Sequence, residues 1–230
     1  MLSEGMDVAL HIGTLLALII FFFKDWIKLV KAGYMKVVKK EDSNDGRIFW
    51  YLVAATIPAG ILSLVLDKVS EGLIGEDINF QMAIIAVTLI VMGIILYIVD
   101  KKSKSDTNYE NISLKQAILI GASQAIAAAF PGVSRSGITM TVARGLKVDR
   151  ESAAKFSFML AMPITLAAVI FDLTSFTFDL ALVLGILASF IVGVIVIKFL
   201  LNYLRKGSFK VFAIYRVILG IIILAIYFIR

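Results

Sequence analysis

Apolar residues in this chain fall in long, nearly unbroken blocks. The blocks are Met6–Phe23 (interrupted by Asp7 and His11), Ile48–Leu66, Phe80–Val99, Phe156–Leu173, Leu180–Leu201 and Phe209–Ile229. Each runs about 18–22 residues, enough for one helix across a hydrocarbon core of roughly 30 Å. The pattern therefore predicts six membrane spans. Residues 113–146 break it. Ala117–Phe130 is apolar for only 14 residues, Pro131-Gly132-Val133-Ser134-Arg135-Ser136-Gly137 follows, and a second short run goes from Ile138 to Leu146. Neither half is long enough to span alone.

The charges between blocks predict how this stretch is threaded. Lys plus Arg number seven in residues 24–47, one in 67–79 beside four acids, four in 100–116, four in 144–155, none in 172–179 and three in 202–210. Basic loops stay on the cytoplasmic side. Loops 100–116 and 144–155 are both basic, so 113–146 should leave and return on one side as a re-entrant hairpin. The expected topology is N-terminus out, six spans, one re-entrant pair, C-terminus out. Residues 36–47 read as the most flexible linker, and 100–111 as exposed and protease-sensitive.

Composition agrees. The chain has 230 residues, 60% hydrophobic and 17% charged, with mean hydropathy +0.94. A soluble domain has about 45–50% apolar and about 25% charged residues, so soluble and disordered classes are excluded. The expected class is an all-α polytopic membrane protein, a single integral domain over residues 1–230. Net charge is +6, but the basic residues sit in short loops, so membrane orientation explains them and nucleic acid is not an expected partner. There are no cysteines and one histidine, which excludes disulfides, thiolate chemistry and a multi-histidine metal site. Acidic rather than basic residues precede the first block, so no cleavable signal is read there.

The candidate chemistry lies at the hairpin tip. Pro131, Gly132 and Gly137 break the helix, and irregular backbone at membrane depth is tolerated only inside protein or beside a wet cavity. Ser134, Arg135 and Ser136 stand there, with Thr139 one turn on. An arginine in a membrane interior is a functional-site hypothesis by default. Hydroxyls, a guanidinium and the N-terminus of the second half-helix together make an anion cradle. The residues alone leave two readings open, a phosphate or carboxylate site of an enzyme or of a transporter. The bland alternative has Arg135 satisfied by loop carbonyls.

The segment Pro131-Gly132-Val133-Ser134-Arg135-Ser136-Gly137-Ile138-Thr139 resembles the P-G-x-S-R-S-x-x-T signature of the undecaprenyl-diphosphate phosphatases, also called bacitracin-resistance proteins. Gly121–Ala125, Phe156–Phe158 with Pro163, and Phe212–Arg216 are similar to that family too. The resemblance covers essentially the whole chain. It implies an inverted-repeat bundle with re-entrant hairpins in the bacterial plasma membrane and an active site facing outside. It also implies removal of one phosphate from a C55 polyprenyl diphosphate, which recycles the lipid carrier of peptidoglycan synthesis and confers bacitracin resistance. A divalent cation, Mg2+ or Ca2+, is the implied cofactor. Arg135, Ser134 and Ser136 are the implied catalytic residues; Gly132, Ser134, Arg135, Ser136, Gly137 and Thr139 would bind phosphate. Self-association into a homo-oligomer is allowed but not implied.

The family also carries an N-terminal hairpin with an E-x-x-x-E pair and a serine-rich stretch ending in histidine, and this sequence shows no such segment. Glu4, Asp7 and His11 do not replace it in spacing or context. No metal ligand is therefore assigned in this chain, which reads as truncated and weakly active or inactive. A polyprenyl-phosphate transporter and a non-catalytic remnant are the alternatives. Elsewhere, Lys198 is expected to snorkel, Arg216 to snorkel or pair inside the bundle, and Asp172 to lie at the interface. Trp26 and Trp50 read as interface anchors, Phe21–Phe23 as lipid-facing, and Gly185 and Gly193 as sites of close helix packing.

Overall fold

The computed structural model describes residues 3–75, 77–172 and 180–229. Among them are ten α-helices: α1 Ser3–Phe21, α2 Phe23–Val38, α3 Asn44–Ile74, α4 Ile78–Lys102, α5 Leu114–Ala122, α6 Gln124–Ala129, α7 Arg135–Gly145, α8 Arg150–Asp172, α9 Leu180–Leu204 and α10 Lys210–Ile229. No strand occurs among the described residues, only an isolated bridge between Thr107 and Val148. The protein is an all-α polytopic membrane protein. α3, α4, α8, α9 and α10 are each long and apolar enough to cross a bilayer, and α1 joins them if the bent pair α1–α2 counts as one span. Residues 173–179 of the expected loop 172–179 and the side chain of Asp172 lie outside the described residues, as do the side chains of Glu4 and Asp7.

Two compact units form, Met1–Trp50 with Phe158–Tyr203, and Tyr51–Ser157 with Leu204–Arg230. In the first, α1 packs on α9 through small residues. A side chain on Gly13 would strike the Ile186 carbonyl and Ser189, and one on Gly193 would strike Ala17. The close approach lets Thr14 and Ser189 hydroxyls meet at 2.9 Å, while Ser189 donates to the Leu10 carbonyl at 2.8 Å. Small residues and hydroxyls at such contacts are how helices associate in lipid, where the hydrophobic effect supplies no drive.

The first unit also corrects three expectations. Residues 24–47 are not a loop: α2 fills Phe23–Val38 and the connection shrinks to about residues 39–43. The flexible linker expected over 36–47 is thus mostly helix, and Lys36 and Arg47 both reach Asp42 there. The Lys36 hydrogen bond, with its charge and that of Arg47, holds the Asp42 carboxyl below its ordinary range. Phe22 is not lipid-facing but buried at the α1–α2 bend, its ring 6.3 Å from that of Phe158; Phe23 is exposed. Trp26 is half-buried, its indole directed at the Met162 sulfur. Trp50 stays partly exposed and donates to the Gly33 carbonyl at 3.2 Å.

In the second unit α4 and α10 run against each other. A Cβ on Gly93 would crowd the Ala213 carbonyl and one on Gly220 the Ala86 carbonyl, so the backbones approach closely. Against them lies a helical hairpin. Ser113 begins α5 with a capping box, accepting from Gln116 N–H while the Gln116 side chain accepts from Ser113 N–H. The same Gln116 amide donates to the Leu146 carbonyl at 2.9 Å, which ties the start of α5 to the end of α7. α5 and α6 meet at Ser123, and the chain reverses over Phe130–Ser134. At 1.5 Å per residue Leu114–Ala129 reaches about 24 Å and α7 about 16 Å, each short of a roughly 30 Å core. Of residues 100–111, expected to be exposed and protease-sensitive, 100–102 still belong to α4 with Asp100 buried, and most of the rest are exposed but pinned: the Asp106 and Thr107 amides donate to the Lys147 carbonyl at 2.9 and 3.1 Å.

Candidate phosphate-binding site

The turn between α6 and α7 is built around Gly132, whose φ of +87° is a left-handed conformation that L side chains resist. A Cβ there would also run into the backbone of Ile85 and the Thr88 hydroxyl on α4. Thr88 Oγ1 in turn donates to the Pro131 carbonyl at 2.7 Å. The tip is therefore moulded onto α4. Gly132→Ala is expected to cost about 2–4 kcal/mol, from left-handed strain plus overpacking. A thermal melt of the purified variant in detergent checks this, and an unchanged midpoint would mean the turn relaxes freely.

Ser134 caps α7: its hydroxyl accepts from Gly137 N–H and lies 3.2 Å from the Ser136 hydroxyl. Ser134 is exposed, while Arg135 and Ser136 are partly so. The first amides of a helix have no partner within it, and here they lead α7 beside both hydroxyls. Thr139 is different. It is 1% exposed, and its hydroxyl bonds back to the Arg135 and Ser136 carbonyls and meets the Ser157 hydroxyl of α8 at 2.6 Å. The structure thus puts Thr139 beneath the tip, fixing the first turn of α7 to α8. Gly137 is buried with its amide on Ser134, and Gly132 offers its carbonyl inward.

A second guanidinium completes the arrangement. Arg216, on α10, is 7% exposed and donates through Nη2 to the Gly132 carbonyl at 3.0 Å. Its Nη1 lies where a Cβ on Gly137 would have to be. Its Nε has no hydrogen-bond partner among the described residues. Of the two places sequence reasoning left open for Arg216, the interior one holds. Lys198 is exposed.

The named groups are hydroxyls, amide N–H groups and guanidinium donors, a set that suits an anion. The motif contains no carboxylate, and among the described residues no three His, Cys, Asp or Glu side chains gather as a metal ligand set. These residues do not fit a protein-held divalent cation. A family model described as "Bacitracin resistance protein BacA" matches residues 2–222. The chain belongs to the BacA family. It is 39% identical to an undecaprenyl-diphosphatase of Moorella thermoacetica, over 97% of this chain and 83% of that protein. It is 43% identical to one of Gemmatimonas aurantiaca, over 96% of this chain and 82% of that protein, and 40% identical to one of Caldicellulosiruptor bescii, over 99% and 84%. The BacA-family match spans both units and includes the whole tip.

Proposed function

We propose that this protein is an undecaprenyl-diphosphate phosphatase of the bacterial plasma membrane. It would cleave the P–O–P bond of the lipid with water, releasing phosphate and leaving the lipid monophosphate for reuse in cell-wall synthesis. The observation that supports this best is the tip of the α6–α7 hairpin, where Ser134, Arg135, Ser136 and the start of α7 stand together on a chain whose relatives carry that name. The antiparallel hairpin, with halves too short to span and its two ends tied by Gln116, supports a re-entrant loop that brings the tip to membrane depth. That the tip opens to the extracytoplasmic side is what the family resemblance implies.

In this reading Arg135 neutralises the diphosphate and stabilises charge on the departing phosphoryl group. Ser134 and Ser136 donate to phosphate oxygens, and Arg216 with Thr139 holds the backbone that positions them. The motif supplies no general base to take the proton of the attacking water. The 230 residues are therefore expected to turn over slowly by themselves. Phosphate release from a C55 or C15 polyprenyl diphosphate by the purified chain, with Mg2+, Ca2+ or EDTA, tests both statements. Tight diphosphate binding with no release under any condition would favour carriage of the lipid over hydrolysis. Fast release in EDTA would show that the motif catalyses without carboxylates or metal.

A further inference from the structure

α2 carries a surface that the phosphate site does not use. Phe23, Ile27, Val30, Tyr34, Val37 and Val38 are all exposed. Their spacing of four, three, four, three and one residues puts them within about 100° of arc on one helix face. The adjoining face is buried, with Leu29 in the core and Gly33 under the ring of Phe49. Lys24, Lys28 and Lys31 follow on the other flank of the stripe. The segment 23–40 holds six lysines against one aspartate, Asp25. Lys28 pairs with Asp45 at 2.9 Å and Lys36 with Asp42, whereas Lys24 and Lys31 form no ion pair among the described residues.

Two environments are excluded by this pattern. A helix surrounded by hydrocarbon would not place lysines beside its apolar stripe. A helix surrounded by water would not show six large apolar side chains in a row. The boundary between headgroups and acyl chains satisfies both faces. The fold supplies the orientation: the chain turns 72° at Phe22 between α1 and α2. If α1 crosses the bilayer, α2 lies close to its plane.

We propose that α2 is an interfacial anchor whose stripe inserts at the headgroup–acyl boundary and whose lysines bind the phosphates of anionic phospholipids. The match is one of charge and shape: cationic side chains on the rim, an apolar wedge between them and the packed face. This surface is separate from the diphosphate site and stands whether or not that site hydrolyses anything.

The absence of cysteine from the sequence allows single nitroxide labels on the full chain without background. Val30→Cys and Tyr34→Cys sit on the stripe, and Lys24→Cys on its flank. In vesicles of phosphatidylcholine and phosphatidylglycerol, labels at 30 and 34 should collide with oxygen more than with a water-soluble nickel chelate, at shallow depth. The label at 24 should show the reverse. Phosphatidylglycerol retained by the detergent-purified protein should fall several-fold in Lys24→Gln/Lys31→Gln. Stripe labels open to the nickel chelate would overturn the proposal and point to a protein partner. Labels at the bilayer centre would overturn it in favour of α2 completing a span with α1. Unchanged phosphatidylglycerol retention in the double variant would overturn the recognition of anionic lipid.

Discussion

Arg135→Ala is expected to weaken binding of a polyprenyl diphosphate about 10²-fold and to lower turnover about 10³-fold or more. The first figure comes from losing about 3 kcal/mol of charge-assisted hydrogen bonding. The second comes from the larger share that an arginine takes of the charge developing on a transferring phosphoryl group. Arg135→Lys should recover little, because an ammonium offers one point of contact where a guanidinium grips two oxygens. Titration calorimetry with a C15 diphosphate reads the first effect and phosphate release reads the second. Equal affinity for wild type and Arg135→Ala would remove the cradle from the argument. Arg216→Lys makes a useful contrast. Arg216 holds the Gly132 carbonyl and fills the space beside Gly137, so its loss should lower the melting midpoint as well as binding. Arg135→Ala should show its largest losses in binding and turnover.

The parts of this molecule that could be read along the chain are those encoded locally. Five of the six expected spans coincide with long helices because a block of apolar residues has no alternative in a bilayer but to close its own hydrogen bonds. The tip was legible because proline, glycine and a serine cap force a turn and a new helix start within seven residues. α2 was missed for a physical reason. Counting its lysines marked a loop, while the spacing of Phe23, Ile27, Val30 and Tyr34 marked a helix, and only the structure joins the two. Phe22 escaped because one aromatic in a run of three looks like its neighbours until a bend selects it for the core.

The charges were the least legible feature. Arg144 and Arg150 were counted among the basic residues of a solvated loop. Arg144 is fully buried instead, and its partner Asp100 lies 44 positions earlier. A loop count treats every lysine and arginine as wet, and no local pattern announces a pair so far apart. Arg216 had the same difficulty, since the carbonyl it serves is 84 positions away. Long-range pairing of this kind decides which intramembrane charges orient the protein and which hold it together.

Asp100 is accordingly expected to be the most sensitive single position for stability. Its Oδ1 accepts from Arg144 Nε at 2.9 Å and from Arg150 Nε at 2.8 Å, and its Oδ2 accepts from the Phe209 amide at 3.1 Å. One carboxylate thus joins the ends of α4 and α7 and the starts of α8 and α10. Arg144 adds bonds to the carbonyls of Asp100, Ser103, Lys104 and Val148, which fasten the loop after α4. Asp100→Ala would leave a buried guanidinium without its counter-charge, and breaking a buried pair in this way costs about 3–5 kcal/mol. Arg144→Met should cost less, because Asp100 keeps Arg150 and the Phe209 amide and the methionine fills part of the space. The double variant Asp100→Ala/Arg144→Met should then be more stable than Asp100→Ala alone, since no buried charge is left unpaired. Melting of the four proteins in one detergent completes the cycle. Additive losses in the double variant would show that the two side chains act independently, and that the hairpin base is held by packing rather than by this pair.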